Sequence, residues 1–280
     1  MRNYGSNEII RSCASCIVIN EEGWLLTCKH IVNGLLKVEK PINDKYSNFK
    51  QEKALVMPLP KGKQKKAINK LEQKYGYSKS AAPTIQLKNI FIKVVDGATL
   101  VKYIVHPVYD LALVKIEGFN RLFCNNFPVF KNVTTDLKPG LSLCRLGFPF
   151  AEFNDYQYNA LTDDIEWIGT GNLMSPYFPI DGIMTRYVYD SNGIYGIEMS
   201  TPGLIGQSGG PLFDKDGVIY GLQSLTVSIP LGFDQVNREI VVGRKKKIVS
   251  DYPFMHLGHC VHVDVIKRFM DENGVKYQVG

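Results

Sequence analysis

Apolar and polar residues alternate in short runs along most of this chain, and turns that contain glycine, asparagine or aspartate separate the runs. Alternation with a period of two is typical of β-strands that bury one face. The pattern predicts strands at 16–20, 24–27, 85–95, 99–105, 111–116, 142–147, 183–189, 193–199, 211–213, 218–226 and 258–263. Many short strands with few helices predict an all-β fold, either a sandwich or a pair of barrels.

A clear helical pattern occurs once, near the C-terminus. Its apolar residues recur at helical spacing, and they are Val265, Ile266, Phe269 and Met270. Asp264 is a suitable residue to cap the start of the helix, and Asn273-Gly274 is a suitable stop. The chain is therefore predicted to close with an α-helix.

The composition is that of an ordinary globular protein: 280 residues, of which 45% are apolar and 21% are charged. This length suffices for one large core or two small ones. No run of about 18 uncharged apolar residues is present, so neither a transmembrane helix nor a membrane partner is expected. The first residues lack the apolar stretch of a signal peptide, and six cysteines are too few for a disulfide scaffold. A cytoplasmic protein with reduced thiols is expected.

Positive charge is concentrated in one segment of the chain. Residues 37–88 contain 13 lysines and 4 acidic residues, which gives this segment a net charge of +9 against +6 for the whole chain. Its strand pattern is weak, so a basic surface insertion is predicted at about 40–88, part loop and part helix near 67–75. A second basic run, 244–247, is expected in the loop before the last strand.

The Lys-rich segment 37–88 is a candidate docking surface for an acidic partner or substrate. Nucleic-acid binding is disfavoured, because lysine-rich loops are usually only solvated and few aromatic side chains interleave with these lysines. The aromatic residues that could stack on bases are Tyr46, Phe49, Tyr75 and Tyr77.

Cysteines and histidines near the two ends of the chain could suggest a zinc site. Cys13 and Cys16 form a C-x-x-C, and the other candidate ligands are His256, His259, Cys260 and His262. Both groups lie in strand-like runs, and residues three apart on a strand point to opposite faces. Structural roles are therefore favoured, and neither a metal nor another cofactor is predicted.

Three residues carry the candidate chemistry. His30 follows a predicted strand, Asp110 precedes one, and Ser208 lies in the glycine-rich turn 206–210. A serine hydroxyl is a weak nucleophile, so an imidazole must accept its proton and a carboxylate must hold the other ring nitrogen. These three residues are the candidate catalytic triad. The N–H groups of Gly206 and Ser208 are the candidate oxyanion hole, since glycine permits the backbone geometry that turns an amide inward.

With this order of histidine, aspartate and serine, the chain resembles the trypsin-like (chymotrypsin-fold) serine peptidases. Within that family it is similar to the bacterial HtrA/Deg branch, without the PDZ domain of that branch. The segments that carry the resemblance are 17–32, 109–115, 137–149, 206–212 and 258–266. The basic insertion lies outside them.

The resemblance implies two packed six-stranded antiparallel β-barrels, chymotrypsin-like, with a C-terminal α-helix. Residues 1–128 would form the N-terminal barrel with His30 and Asp110, and residues 129–280 would form the C-terminal barrel with Ser208. The implied activity is that of a serine endopeptidase, which cleaves protein or peptide substrates through an acyl-enzyme.

The resemblance also implies where the primary specificity pocket lies. Its walls would be two segments, Thr201-Pro202-Gly203 and Ser224-Leu225-Thr226. Pro202 occupies the position at which relatives often have an aspartate, and neither segment contains a carboxylate. Cleavage is expected after small or medium uncharged residues such as Val, Ala, Leu or Thr, because a buried basic side chain would lack a counter-charge.

Two alternatives stay open. The serine turn also fits G-x-S-x-G, the nucleophile elbow of α/β-hydrolase esterases, for which Asp234 and His256 are the further candidates. That elbow requires a helix directly after the serine. The chain could also be a catalytically silent binding or scaffold protein on a peptidase fold, since a fold alone does not determine a function.

Overall fold

The structure is a computed structural model, and it describes residues 1–97, 100–171 and 174–280. Most of its regular elements are strands, as the sequence predicted. They are β1 Arg2–Asn3, β2 Ile17–Val18, β3 Trp24–Thr27, β4 Thr84–Gln86, β5 Val95–Asp96, β6 Leu100–Val105, β7 Ala112–Glu117, β8 Arg121–Leu122, β9 Val129–Phe130, β10 Ser142–Gly147, β11 Tyr156–Asn159, β12 Asp164–Trp167, β13 Phe178–Asp190, β14 Gly193–Met199, β15 Pro211–Phe213, β16 Ile219–Pro230, β17 Gln235–Val242, β18 Lys245–Asp251, β19 Phe254–His262 and β20 Gln278–Val279. Of the predicted strand 99–105, Thr99 lies outside the described residues.

The N-terminal sheet has the strand order β2-β3-β7-β6. Its two central strands, β3 and β7, pair antiparallel with Leu26 opposite Leu113. Both faces of this pair are buried, because Leu26 and Leu113 pack in one apolar cluster while Leu25 and Val114 pack in another. A strand buried on both faces carries a continuous apolar run, which explains the sequence of 111–114. This sheet has four strands, and the six-stranded barrel expected in this half stays a prediction.

The C-terminal sheet contains eight strands in the order β15-β10-β13-β14-β19-β16-β9-β20. Because β15 pairs with both β10 and β16, the first six of these strands close into a ring. Buried apolar side chains fill the ring, among them Leu143, Met184, Ile197 and Leu212. The strands β9 and β20 extend the sheet beside β16 through parallel pairing.

The largest difference from the prediction lies in the basic segment, which is mostly helical. The helical elements are α1 Lys29–Ile31, a π-helical turn Val32–Leu36, α2 Lys37–Val56 and α3 Lys61–Tyr75. The expected loop character was wrong for most of 40–66. The sequence concealed α2 because Pro41 interrupts the helical pattern, as a proline lacks the N–H that continues the hydrogen-bond ladder. The wide π-helical turn Val32–Leu36 ends five residues before this proline.

An aromatic cluster holds the two long helices to the rest of the protein. Tyr46, Phe49 and Tyr77 are buried, and their rings and that of Tyr75 contact one another at centroid distances of 5.0 to 6.2 Å. The four aromatic residues that could have stacked on bases therefore form a core. Lysines 61, 63, 65 and 66 of α3 remain exposed.

The C-terminal helix α4, Val263–Glu272, was predicted, and its apolar stripe is buried. Its cap differs from the prediction. His262 Nδ1 accepts the N–H of Asp264 at 3.1 Å, so His262 is the capping residue and Asp264 lies in the first turn. A carboxylate there interacts favourably with the positive end of the helix dipole.

Strands β17 and β18 form a hairpin that the sequence did not reveal. Most of its residues are exposed on both faces, so apolar and polar positions do not alternate clearly. The basic run 244–247 was expected in a loop, but it occupies the hairpin turn and the start of β18. Among the helices of the described residues, none has the length and apolar character needed to cross a membrane.

Candidate active site

The pairing of two central strands brings His30 and Asp110 together. Thr27, the last residue of β3, lies opposite Ala112, the first residue of β7, so the residues after β3 meet the residues before β7. His30 Nδ1 is 2.8 Å from Asp110 Oδ2, and the backbone N–H of His30 donates to Asp110 Oδ1 at 2.9 Å. Both oxygens of one carboxylate therefore orient the histidine.

Ser224 supplies a further hydrogen bond to this carboxylate, from its Oγ to Asp110 Oδ2 at 2.6 Å. Burial acts to raise the pKa of Asp110, but the hydrogen bonds from His30 and Ser224 outweigh it and lower the pKa from 3.8 to about 2. An ionised carboxylate can only accept, so His30 Nδ1 carries the proton and Nε2 is left as a base. The His30 side chain is 49% exposed, which a substrate-facing base requires.

Lys29 fixes the loop that leads to Asp110. Its Nζ donates to three consecutive carbonyl oxygens, those of residues 106–108, at 2.9, 3.2 and 3.2 Å. His106 Nδ1 accepts the N–H of Tyr109 at 2.9 Å in the same loop. The sequence predicted a structural role for His106 on the way into the aspartate strand, whereas it gave no signal of the three carbonyl acceptors of Lys29.

Backbone hydrogen bonds hold Ser208 between the two halves of the chain. Its carbonyl oxygen accepts the N–H of Ser15 at 3.0 Å. The N–H of Gly209 donates to the carbonyl oxygen of Gln223, and the N–H of Gln223 donates to that of Gly210, both at 2.9 Å. The turn 206–210 is thereby attached to β16 and to the segment before β2.

The turn requires its glycines and leaves two amides free to donate. Gly206 and Gly209 have φ of +94° and +85°, and a Cβ on Gly209 would collide with the carbonyl oxygen of Ser15. Within the described part of the chain, neither Gly206 N–H nor Ser208 N–H donates to a protein acceptor. Gln207 is fully buried and its Nε2 donates to Phe178 O at 3.0 Å, which anchors the turn from below.

The hydroxyl of Ser208 bonds to Ser224 rather than to His30. Ser208 Oγ donates to the carbonyl oxygen of Ser224 at 3.2 Å. No hydrogen bond joins Ser208 to His30 in the described structure. The structure thus brings His30 and Asp110 into direct contact and connects Ser208 to them through Ser224. Sequence reasoning had assigned Ser224 only to the pocket wall.

The two expected walls of the specificity pocket contact each other. Thr226 Oγ1 accepts the N–H of Gly203 at 2.9 Å and donates to its carbonyl oxygen at 2.7 Å. Leu225 is 48% exposed, whereas Thr201 and Pro202 are half-buried. Whether these residues bind a substrate side chain stays a prediction.

A buried arginine, which sequence reasoning missed, lies against one of these walls. Arg145 of β10 has no exposed surface, and its Nη2 donates to the carbonyl oxygen of Thr201 at 2.8 Å. A single arginine in an alternating strand ordinarily indicates a solvent-facing position, so the pattern gave no sign of it.

One group of metal-ligand types occurs among the described residues, and it is part of this site. Ligand atoms of Cys28, His30 and Asp110 lie within 4.8 Å of one another. Burial raises the pKa of Cys28 well above its usual value, and its thiol donates to the carbonyl oxygen of Gln223 at 3.2 Å. In this structure the Cys28 thiol and the His30–Asp110 pair therefore make hydrogen bonds within the protein.

The α/β-hydrolase alternative does not fit the geometry. Strand β15 begins at Pro211, directly after the serine turn, where that elbow requires a helix. His256 Nδ1 contacts Ser228 Oγ at 2.8 Å, and it makes no hydrogen bond to Ser208 in the described structure.

A comparison with protein families matches the trypsin-like peptidase domain to residues 14–222. Two solved structures are similar to the chain. An HtrA-type protease AlgW with a decapeptide is 13% identical, with a TM-score of 0.41 over 92% of this chain and 50% of that one. Its serine-to-alanine variant with the decapeptide is 15% identical, with a TM-score of 0.41 over 95% and 52% of the two chains. The chain spans about half the length of these structures. No curated protein matches the sequence.

Proposed function

The chain belongs to the trypsin-like peptidase family, and we propose that it is a serine endopeptidase that uses Ser208, His30 and Asp110 as its catalytic triad. Residues 1–128 supply the base and the carboxylate, and residues 129–280 supply the nucleophile. The substrate then binds between these two parts, as a protein or peptide in extended conformation.

In the proposed mechanism, Ser208 Oγ attacks the carbonyl carbon of the scissile bond while His30 Nε2 takes the hydroxyl proton. Asp110 holds the Nδ1–H of the imidazolium that forms. The tetrahedral oxyanion accepts hydrogen bonds from the N–H groups of Gly206 and Ser208. The C–N bond then breaks, His30 returns the proton to the leaving amine, and water hydrolyses the acyl-enzyme by the same steps.

The observation that carries this proposal is the network around Asp110. Its carboxylate accepts from His30 Nδ1 at 2.8 Å and from Ser224 Oγ at 2.6 Å, and Ser224 O accepts from Ser208 Oγ at 3.2 Å. Catalysis requires the Ser208 hydroxyl to exchange Ser224 O for His30 Nε2. Rotation about a single side-chain bond is the natural way to make this exchange.

Cleavage of a randomised peptide library, read by mass spectrometry, tests the proposal. The wild-type protein should cut internal bonds and Ser208→Ala should not, whereas Ser80→Ala, which changes an exposed serine of the insertion, should cut as the wild type does. The absence of a Ser208–His30 hydrogen bond from the described structure is the one observation in support of the alternative, a catalytically silent binding protein. In that case neither the wild type nor either variant should cleave the library.

Two further proposals concern the surroundings of the enzyme. The exposed lysines 61, 63, 65 and 66 of α3 support docking of an acidic partner, which high salt should weaken. All six cysteines are free thiols, which supports a reducing compartment such as the cytoplasm.

A further inference from the structure

Arg145 points into the interior of the C-terminal ring of strands. The inward positions of β10 are Leu143, Arg145 and Gly147, all buried, and they alternate with more accessible residues. Leu143 lies in the apolar cluster of the ring, and Gly147 lies so close to Gln207 that it has no room for a Cβ. Arg145 therefore sits between the apolar core and the nucleophile turn.

The guanidinium of Arg145 has neutral partners and no counter-charge. Nη1 donates to Gln223 Oε1 at 2.8 Å, and Nη2 donates to Thr201 O at 2.8 Å and to Thr201 Oγ1. Its Nε is buried and has no hydrogen-bond partner in the part of the chain that the structure describes. Among the described residues, no carboxylate oxygen lies within 4.0 Å of a guanidinium nitrogen of Arg145, so it forms no ion pair there. The buried Glu198 pairs with Arg186 instead.

A buried arginine stays charged, and an unpaired buried charge is costly. Burial lowers the pKa of Arg145 from its usual value, in line with this cost. A carboxylate that approached the guanidinium would supply the missing charge and accept strong, charge-assisted hydrogen bonds. None of the described residues places such a group there, so a ligand is a natural source.

The guanidinium contacts residues of, or next to, both proposed walls of the specificity pocket. Arg145 bonds to Thr201, the first residue of one proposed pocket wall, and to Gln223, which directly precedes the other wall. A Cβ on Gly258 would also collide with Arg145 Nη1, so the arginine lies against β19 as well. The guanidinium is therefore buried against Thr201 of one proposed wall and against Gln223, next to the other.

We propose that Arg145 makes this peptidase cleave after acidic residues, with the carboxylate of a substrate Glu or Asp directed to its guanidinium. This inference rests on the proposed function. The Nε–H has no acceptor among the described residues, so it is a donor that the entering carboxylate can take. The sequence predicted an uncharged residue before the cut, because the walls lack a carboxylate. The buried cation of Arg145 repels a substrate Lys or Arg side chain and favours a substrate side chain of the opposite charge.

The test compares quenched peptides that differ only in the residue before the scissile bond, which is Glu, Gln, Leu or Lys. Gln is the matched control, because it has the shape of Glu without the charge. We expect kcat/KM for Glu to exceed that for Gln at least about tenfold, the effect of one charge-assisted hydrogen bond. Equal rates for Glu and Gln, or a preference for Leu, would overturn the assignment.

Arg145→Met should abolish the Glu preference, whereas Arg121→Met, the same change at an exposed position, should keep it. Covalent labelling of Ser208 by a fluorophosphonate reports whether Arg145→Met is folded. If that variant does not fold, fluorescence anisotropy can compare how tightly Ser208→Ala binds peptides that end in Glu or in Gln. This measurement tests the Glu preference without turnover. Tighter binding of the Glu peptide supports the inference, and equal binding overturns it.

These readouts separate the two proposals. A wild-type protein that is not labelled at Ser208 and cuts no peptide contradicts the proposed function. A protein that is labelled and cuts, but cuts after Leu in preference to Glu, contradicts only the role of Arg145.

Discussion

The substitution Asp110→Asn should weaken both the fold and the catalysis. Hydrogen bonds from His30 and Ser224 lower the pKa of Asp110 from 3.8 to about 2 against the opposing effect of burial. At about 1.4 kcal/mol for each pKa unit, the ionised carboxylate contributes about 2 kcal/mol to stability at neutral pH. Because the folded-state pKa is below the unfolded one, this contribution is complete above about pH 4 and disappears as the pH falls through 2.

Urea unfolding of the wild type and Asp110→Asn between pH 2 and pH 7 measures this contribution. The difference in the free energy of unfolding should be about 2 kcal/mol at pH 6 and should shrink towards pH 2. The same variant should lose about four orders of magnitude in kcat, because an amide does not hold the required tautomer of His30. A stability difference that stays constant over this pH range, or a variant within tenfold of wild-type activity, would refute this reasoning.

Three further predictions concern other parts of the molecule. His30→Ala and Ser208→Ala should each lower kcat at least about a thousandfold, and the double variant should be little worse, because the residues act as a unit; additive losses in initial-rate assays would speak against a triad. Glu198 is buried, pairs with Arg186 and His259, and has a pKa lowered from 4.5 to about 2 against the effect of burial. Glu198→Gln should therefore cost about 3 kcal/mol in urea unfolding at pH 7, and less as the pH falls from 5 to 2; an equal loss at both ends of that range would contradict this. Phe49→Ala should lower the free energy of unfolding by about 3–5 kcal/mol. Leu55→Ala, at a position that is 79% exposed, should leave it nearly unchanged in the same measurement. Similar losses in the two variants would contradict the aromatic core.

The mainly β, chymotrypsin-like fold could be predicted from the sequence because its signals are local. Strands β3 and β7 are buried on both faces and carry uninterrupted apolar runs, and the glycines of the turn 206–210 are required by its backbone geometry. The apolar stripe of α4 likewise has helical spacing. Each of these features depends on residues close together in the chain.

The missed features depend on residues that are distant in the sequence. Helix α2 is stabilised by an aromatic cluster whose members include Tyr77, beyond the end of α3, so its own polar pattern did not reveal it. The bond from Ser224 to Asp110 joins residues 114 positions apart. Arg145 is buried only because strands of the C-terminal ring surround it, and no local pattern encodes that environment.

The most direct test of the central claim is the mass of the intact protein after reaction with a fluorophosphonate, followed by mapping of the modified peptide. We expect a single phosphonyl group on Ser208 in the wild type and none in Ser208→Ala. Labelling should be slower by orders of magnitude in His30→Ala, because the histidine must take the hydroxyl proton. An unmodified wild-type protein, or modification that persists in Ser208→Ala, would contradict the central claim.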